Sequence, residues 1–514
     1  MQDFIREPSE EEWARLSVYA RRMRYFLNGG RDVPSEAALR LLNARSSGRC
    51  MLPKLRDIQC FSAPREHLEQ LLPLVVSPVL TNFLLGFNIH SNLDGFQLVP
   101  ILEALAPAYN SLTEVRIYYP TPHDPQIIHA TSNLLLKCNP DKLRDFTVIS
   151  ALSAEAFIHA TQLPNLEMFV IRTDMTEVDV PLPTSAFPSL KSLEIDATNT
   201  RSPLLQTITH IRSRTLTRLE LGFPAATLET FLPATLAALQ PGGLHQTLTT
   251  LSINPKGDVD LNGAAMRPIL FLTQLTNLEI RFFCDQGRCA YKLSDENLEE
   301  LVTAMPKLRL LSLGSFPCSR PANSTLKSLA SVARHCKHLE QLSIHTNVGA
   351  IVNGLLQGGY RREDFAPEDP LAVFAGSPLH TIIFGPCPIP NEEQGAMIFV
   401  LALLRLFPRL KSVAVFPPGR ERDPLWELVD SVVTTYRRIR INIADAGKLT
   451  SFLPHTEFAH VLQLLIWRPT EFCPCLPFFS SPVSRVPYVL YSIQIRWNLF
   501  VQILGNKHAD YAPN

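Results

Sequence analysis

One pattern recurs along most of the chain: a leucine, two residues of any type, an apolar residue, one residue of any type and a second apolar residue. The clearest copy is Leu308-Arg-Leu-Leu311-Ser-Leu313. Thirteen copies begin at Leu55, Leu80, Leu112, Leu143, Leu166, Leu190, Leu216, Leu248, Leu275, Leu308, Leu339, Leu379 and Leu410. Because each copy specifies the same small unit, the repetition restricts the fold more than any local signal does. It predicts a repeat protein that binds other molecules, rather than a core built around a catalytic pocket.

Each copy of the pattern predicts a short β-strand. Apolar residues alternate with other residues at a period of two, as at Leu193 and Ile195, so they share one face of a strand. Successive copies start between 23 residues apart (Leu143 to Leu166) and 40 residues apart (Leu339 to Leu379). The mean of about 30 lies just beyond the upper end of typical leucine-rich repeats. The variation predicts an array whose loops and helices differ in length.

Between the strands the apolar spacing changes to that of a helix. Leu298, Leu301, Val302 and Met305 fall at positions i, i+3, i+4 and i+7, which is one face of an α-helix. Ser294 precedes them as a suitable N-cap residue, because its hydroxyl can accept a backbone N–H of the first turn. The sequence therefore predicts helices that alternate with the strands.

Proline marks the passage from helix to strand. It stands two residues before the first leucine of five copies, at Pro53, Pro164, Pro188, Pro306 and Pro408. Proline disfavours helix in the residue before it and has no N–H to donate. The five occurrences predict the same helix-to-strand corner in five repeats.

Helix, corner and strand form a unit that cannot bury its apolar surfaces alone, whereas stacked units can. We predict an α/β fold: a leucine-rich-repeat solenoid with a curved parallel sheet inside and helices outside. About 13 repeats are expected over residues 51–445, after an N-terminal helical cap over residues 1–50. A single copy of the pattern also occurs in ordinary helices and other α/β proteins, but thirteen copies with helical stretches between them favour the solenoid.

The sequence changes character after about Trp467, where it becomes apolar and rich in proline. Terminal repeats need a polar cap, which this apolar stretch does not provide. We therefore expect residues 446–514 to be an irregular tail, a gene-model artefact from a translated intron or a frame change. Val486–Leu504 is apolar enough to raise the question of a membrane span. Arg496 lies near its middle, where a charge is costly in a bilayer, so we expect no membrane insertion.

Charge and cysteine content exclude several classes of function. Lys plus Arg and Asp plus Glu both number 48, so no net charge attracts the chain to nucleic acid or an anionic membrane. The ten cysteines are sparse and irregularly spaced, and the first residues lack the basic start and apolar core of a signal peptide. We therefore expect a reduced protein of the cytoplasm or nucleus, and a monomer.

The sequence carries no motif that predicts catalysis or a cofactor. Cys473 and Cys475 have no second cysteine pair at zinc spacing. The glycine pairs at 242–243 and 358–359 are not followed by the Lys-Ser/Thr of a phosphate loop and are typical of turns. We expect no enzyme activity, no metal and no cofactor.

The strand period also predicts which residues a partner would meet. The position between the two apolar residues of a strand, and the one after them, point to the concave face of the solenoid. The candidate protein-binding residues are Arg172, Glu194, Asp196, Glu220, Asn254, Glu279, Arg281 and His345, and the same phase also selects Arg116, Tyr118 and Ser312. Such a mixed-charge surface suits recognition of another protein. The alternative is that these side chains merely solvate the sheet.

Two stretches of sequence resemble a known family. Residues 4–26, with Trp13, Tyr19, Ala20, Arg21 and Arg22 in this arrangement, are similar to the segment that joins an F-box to the repeats in fungal F-box/leucine-rich-repeat proteins of the mushroom type. The run Cys336-Lys-His-Leu-Glu-Gln-Leu342 also resembles repeats of F-box proteins. The resemblance extends over roughly residues 4–445.

The resemblance implies that the repeats hold a protein substrate for a cullin ubiquitin ligase. An F-box docks on the Skp adaptor of such a ligase, but no F-box core precedes Trp13. The Skp adaptor and the cullin are therefore expected as partners only if an F-box is restored upstream. The alternative is a leucine-rich-repeat interaction scaffold with no ubiquitin ligase connection.

Overall fold

The chain forms two compact units in a computed structural model, Met1–Asn323 and Ser324–Asn514. The structure describes residues 7–28, 35–46, 49–61, 65–86, 98–118, 124–173, 183, 186–197, 210–211, 213–224, 243–256, 260–282, 290–315, 322–357, 378–385, 389–390, 392–415 and 424–445. The predicted tail, the Val486–Leu504 stretch and the pair Cys473 and Cys475 lie outside these residues.

The first unit is built on one parallel sheet. Its strands are β1 (Tyr25–Asn28), β2 (Asp57–Phe61), β3 (Asn82–Gly86), β4 (Glu114–Tyr118), β5 (Asp145–Val148), β6 (Met168–Thr173), β7 (Ser192–Ala197), β8 (Arg218–Pro224), β9 (Thr250–Lys256), β11 (Asn277–Phe282) and β13 (Leu310–Ser315). Each strand pairs in parallel with its neighbours in that order. Two short strands, β10 (Asp260–Leu261) and β12 (Ala290–Tyr291), pair separately. This sequential parallel order confirms the predicted α/β solenoid.

The described residues of the first unit include eight α-helices. They are α1 (Glu10–Ala20), α2 (Glu36–Ser46), α3 (Arg65–Val75), α4 (Leu98–Glu103), α5 (Pro125–Lys137), α6 (Ala154–Gln162), α7 (Gly263–Met266) and α8 (Asp295–Ala304). The helices from α2 to α6 pack each against the next, as repeats of a solenoid do. The predicted N-cap of α8 is confirmed, because the Ser294 hydroxyl accepts the backbone N–H of Asn297 at 3.3 Å.

The second unit repeats the arrangement on a smaller scale. Strands β14 (Gln341–Ile344), β15 (Thr381–Phe384) and β16 (Ser412–Val415) pair in parallel in chain order. Its helices among the described residues are α9 (Leu326–His335), α10 (Val348–Leu356), α11 (Glu392–Leu406) and α12 (Pro424–Asp445). Phe384, Phe399 and Trp426 form an aromatic cluster that joins β15, α11 and α12, with ring centroids 5.4 to 5.9 Å apart.

The thirteen repeated leucines all lie in the core. Each precedes its strand by two residues and is at most 1 % exposed. The two apolar residues that follow within each strand are buried as well, for example Leu193 and Ile195 in β7, except that Val415 in β16 is partly exposed. One unpredicted strand, β1, lies inside the predicted N-terminal helical cap between α1 and α2. The leucine pattern gave no signal for it, because no leucine stands two residues before Tyr25.

A ladder of backbone hydrogen bonds, which the apolar pattern did not predict, joins the starts of successive strands. From Thr81 to Arg309, the residue after each leucine donates its backbone N–H to the carbonyl of the equivalent residue one repeat earlier, as Thr249 does to Thr217 at 2.9 Å. The Thr249 hydroxyl donates to the same carbonyl at 3.1 Å, and Thr276 repeats the contact one strand later at 3.0 Å. These bonds set the register of successive repeats.

Aromatic packing fills the interior around β5 to β7. Phe169 lies 6.4 Å from Phe146, 6.0 Å from Phe157 and 5.4 Å from Phe187, measured between ring centroids. Phe187 has a φ of 56°, a conformation that costs free energy for a residue with a side chain. Its N–H donates to the Thr161 carbonyl at 2.7 Å, and its ring is fully buried, so packing holds the corner in this conformation.

Candidate protein-binding face

The register of the first unit aligns the outward side chains into rows. In β7, Ser192, Glu194 and Asp196 are partly exposed while the residues between them are buried, so these three share the outer face of the sheet. We call this outer face of β4 to β13 the polar face. Its first row is Glu114, Asp145, Met168, Ser192, Arg218, Thr250, Asn277 and Leu310. Its middle row is Arg116, Thr147, Val170, Glu194, Glu220, Ser252, Glu279 and Ser312.

Most of the predicted binding residues lie in the middle row and in a third row next to it. Glu194, Glu220 and Glu279 belong to the middle row. The third row contains Arg172, Asp196, Gly222, Asn254, Arg281 and Gly314, in the order of their strands. Arg172 stands opposite Asp196 in the register between β6 and β7. The strand period thus identified neighbouring positions on adjacent strands.

The first row was missed by the sequence analysis and carries part of the charge. Arg218 and Glu220 lie two residues apart on β8, and the Arg218 Nη2 atom approaches Glu220 Oε2 to 3.1 Å. Glu279 and Arg281 form an equivalent pair on β11. The same period of two could have identified this row, because its residues lie two positions before those of the middle row on each strand.

These pairs present arginines and partly bury acids. The side chains of Arg218 and Arg281 are 54 % and 49 % exposed, whereas those of Glu220 and Glu279 are 21 % and 20 % exposed. A guanidinium has five N–H donors, so an arginine held by one carboxylate keeps donors for a partner. Exposed ion pairs contribute little stability, so these pairs are not what holds the sheet together.

Neutral side chains hold the acids in place. The Asn254 side-chain amide donates to Glu220 Oε1 at 2.9 Å and to the Ser252 hydroxyl at 3.2 Å. Both carboxylate oxygens of Glu220 are therefore engaged, one by Arg218 and the other by Asn254. Such a network fixes side chains before a partner arrives, which lowers the entropy cost of binding.

Gly222 makes room for Asp196 in the third row. A Cβ atom at Gly222 would lie 2.5 Å from Asp196 Oδ1, far inside van der Waals contact. The carboxylate therefore extends over the backbone of the neighbouring strand, where any side chain would displace it. A glycine at this register position shapes the polar face around Asp196.

A second charged cluster lies at β4 and β5. The Arg116 side chain donates to Asp145 Oδ2 from Nε at 2.8 Å and from Nη2 at 2.5 Å, and Thr147 donates to Asp145 Oδ1 at 3.0 Å. Burial lowers the pKa of Arg116, but the hydrogen bond and charge of Asp145 outweigh it, and the net pKa is raised. Burial also raises the pKa of Tyr118.

His345 in the second unit differs from the expectation. Its side chain is only 1 % exposed, so the prediction that it offers a ring to a partner is wrong. Burial lowers the pKa of His345 to about 4. A Cβ atom at Gly385 would lie 2.9 Å from the imidazole, which shows how closely the backbone just after β15 packs against it. Ser312 in the first unit is also buried, at 2 % exposure, and its hydroxyl accepts from Arg281 Nε at 3.4 Å.

Other chemistry is sparse in the described part of the chain. Across the described ranges, no three His, Cys, Asp or Glu side chains are grouped closely enough to hold a metal ion. Burial raises the pKa values of Cys60, Cys138 and Cys336 to about 12, which keeps these thiols protonated. No helix among the described residues combines the length and apolarity that crossing a membrane requires.

Comparisons with known proteins assign no family to the chain. No protein-family model matches the chain, and no curated protein matches it. Among solved structures, the chain is similar to one in the crystal structure of the Rad7 and Elc1 complex in yeast, with 13 % sequence identity and a TM-score of 0.33. The match covers 60 % of this chain and 66 % of that chain, just under two thirds of its length. A match at this TM-score is too weak to support an inference about function.

Proposed function

We propose that this chain is a non-enzymatic repeat protein that binds a partner protein through the polar face of its first unit. The observation that carries the proposal is the arrangement around Glu220, where Arg218 and Asn254 hold the two carboxylate oxygens while half of the Arg218 side chain stays exposed. Charged side chains that are already ordered and still accessible suit a recognition surface.

The chemistry of the polar face favours a protein over other ligands. Its exposed groups include arginines beside carboxylates on the same strand, a pattern of both signs that matches the mixed surface of another protein. Nucleic acid would favour a continuous basic surface, whereas here Arg218 and Arg281 each pair with an acid. Arginine is also enriched among the residues that contribute most to protein–protein affinity.

The finer form of the proposal is that the chain recognises the substrate of an F-box-type ubiquitin ligase. The support is the resemblance of residues 4–26 and 336–342 to F-box/leucine-rich-repeat proteins. In that role the Skp adaptor and the cullin would be partners through an F-box joined to this chain. The alternative is an interaction scaffold with no ligase connection, which needs the polar face but neither of these partners.

Exchanging charges within a strand tests the polar face without removing its ion pairs. The variant combines Arg218→Glu, Glu220→Arg, Glu279→Arg and Arg281→Glu, so each pair keeps two opposite charges in reversed order. A matched control exchanges the exposed helix pair by Glu36→Arg and Arg40→Glu. Proteins captured from source cells by the wild type and the control, but lost from the exchanged variant, would identify partners of this face. Equal capture by all three proteins would contradict the proposal.

The ligase form of the proposal needs a separate measurement. The protein is tagged at its C-terminus at the genomic locus, purified from source cells and analysed by mass spectrometry for the Skp adaptor and the cullin. Stoichiometric recovery of both supports the ligase role. Recovery of polar-face partners without either of them supports the scaffold alternative.

A further inference from the structure

The strand β1 has one paired and one unpaired backbone edge within the part of the chain that the structure describes. Among the described residues no strand lies beyond β1, whose neighbour on the other side is β2. The Arg24 carbonyl accepts N–H groups from Arg56 and Asp57 at 2.9 and 3.1 Å, so it faces β2. Because backbone groups alternate sides along a strand, the N–H and C=O of Tyr25 and Leu27 point to the open edge.

Apolar side chains stand out beside these backbone groups. Tyr25 is 48 % exposed and Leu27 is 56 % exposed, and Tyr19 and Met23, just before the strand, are 66 % and 38 % exposed. Transfer of these apolar side chains from water to a covered site would be favourable in free energy. A segment that paired with β1 would cover them while satisfying its own backbone donors and acceptors.

Exposed basic residues surround this edge, and Asp57 on β2 lies opposite Tyr25. Arg21, Arg22, Arg24, Lys54 and Arg56 are all exposed, and no carboxylate among the described residues forms an ion pair with any of them. On the polar face, by contrast, Arg116, Arg218 and Arg281 each pair with an acid. The open edge therefore has an excess of positive charge that an acidic segment would neutralise.

We propose that β1 is a second binding site, at which an extended acidic and apolar segment of a partner protein adds as a further strand. Strand addition gives affinity through main-chain hydrogen bonds and specificity through alternate side chains. A second copy of this chain fits poorly, because pairing two β1 edges would bring together two sets of unneutralised cations. A membrane surface could meet the charge and the apolar side chains, but it offers no strand to the outward backbone groups.

Labelled peptides test the site on the full-length protein. The probe is a ten-residue peptide of alternating Glu and Val, and binding is followed by fluorescence anisotropy at low and raised salt. We expect binding that weakens with salt, no binding of the Lys and Val analogue, and about tenfold weaker binding of the same acidic peptide N-methylated at alternate backbone nitrogens. Equal binding of the N-methylated peptide would overturn strand addition.

Two variants locate the contact. Arg21→Glu with Arg22→Glu reverses part of the charge, and Leu27→Pro removes an N–H that faces the open edge while leaving the donors toward β2. Each is expected to weaken the acidic peptide about tenfold. The charge control is Lys142→Glu with Arg214→Glu, at exposed positions elsewhere in the first unit. A thermal melt of each variant verifies that it folds.

Three results would overturn the proposal. The first is unchanged affinity of the acidic peptide for the Arg21 and Arg22 variant. The second is that vesicles of equimolar phosphatidylserine and phosphatidylcholine bind the wild type but not the Arg21 and Arg22 variant, while the acidic peptide does not bind. That result would assign the edge to membranes. The third is that the wild type self-associates in analytical ultracentrifugation and that Leu27→Pro abolishes this self-association. That result would assign the edge to a second copy of the chain. Changes at the polar face leave all these measurements unaffected.

Discussion

Arg116 and Asp145 are joined across β4 and β5 by two hydrogen bonds to one carboxylate oxygen, at 2.8 and 2.5 Å. The Asp145 side chain is 8 % exposed and the Arg116 side chain 36 % exposed. Thr147 donates to the other carboxylate oxygen at 3.0 Å. The acid is thus satisfied from both sides and nearly buried, so it is a structural anchor of the polar face rather than a group available to a partner.

Replacing Asp145 by alanine is expected to destabilise the first unit. The change removes the hydrogen bonds from Arg116 and leaves the Thr147 hydroxyl without its acceptor, for a cost of about 2 kcal/mol. Urea unfolding followed by circular dichroism measures the difference. The control is Glu114→Ala, since Glu114 is exposed and lies 3.6 Å from Arg116. It should cost less than about 0.5 kcal/mol, and a similar loss in both variants would contradict the assigned role of Asp145.

The repeated leucines should dominate stability over exposed leucines. Leu216→Ala removes a fully buried side chain and leaves a cavity between neighbouring repeats, which is expected to cost about 3 kcal/mol. Leu27→Ala removes the same atoms from an exposed site on β1 and should cost less than about 0.5 kcal/mol. Thermal or urea unfolding of both variants distinguishes them, and equal losses would show that the leucine pattern does not define the core.

The repeat pattern predicted the sheet well because its signal is local. A leucine two residues before two alternating apolar residues specifies a corner and a strand within a few residues, and every one of the thirteen sites became buried. The strand β1 was missed for the same reason. Met23 stands where the pattern has its leucine and Asn28 where it has the second apolar residue, so β1 lacks the apolar signature on which the prediction relied.

The candidate site was predicted in part. The period of two determines on which face of a strand a residue lies, but not which other residues pack over that face. Glu194, Glu220 and Glu279 fell on the outer face of the sheet as the period of two required. His345 has the same phase but is buried, since packing between repeats depends on residues far apart in the chain. Whether these side chains contact a partner stays a prediction.

Acidification should weaken the second unit through His345. Burial lowers its pKa from 6.5 to about 4, so between these values the unfolded chain binds a proton that the folded chain does not. The free energy of unfolding therefore decreases as the pH falls from 6.5 toward 4, by an amount limited to about 3 kcal/mol, and this contribution is absent above pH 7.

Substitution of the histidine tests this dependence. Urea unfolding at pH 7, 6 and 5 is compared between the wild type, His345→Gln and the exposed control His129→Gln. The His345 variant should lose less stability than the wild type as the pH falls, whereas the control should follow the wild type. Identical slopes for all three proteins would contradict a buried, neutral His345.

Gly222→Ala should disturb the polar face by displacing Asp196. The new Cβ would lie 2.5 Å from Asp196 Oδ1 and 3.3 Å from its Cα, so the carboxylate must move, at a cost of about 1 kcal/mol. In the background of Asp196→Ala the clash with the carboxylate is absent, and the added methyl group should cost less. Unfolding of the two single variants and the double variant gives this coupling energy, for which about 0.5 kcal/mol or more is expected. Strictly additive effects would mean that the glycine serves the backbone rather than Asp196.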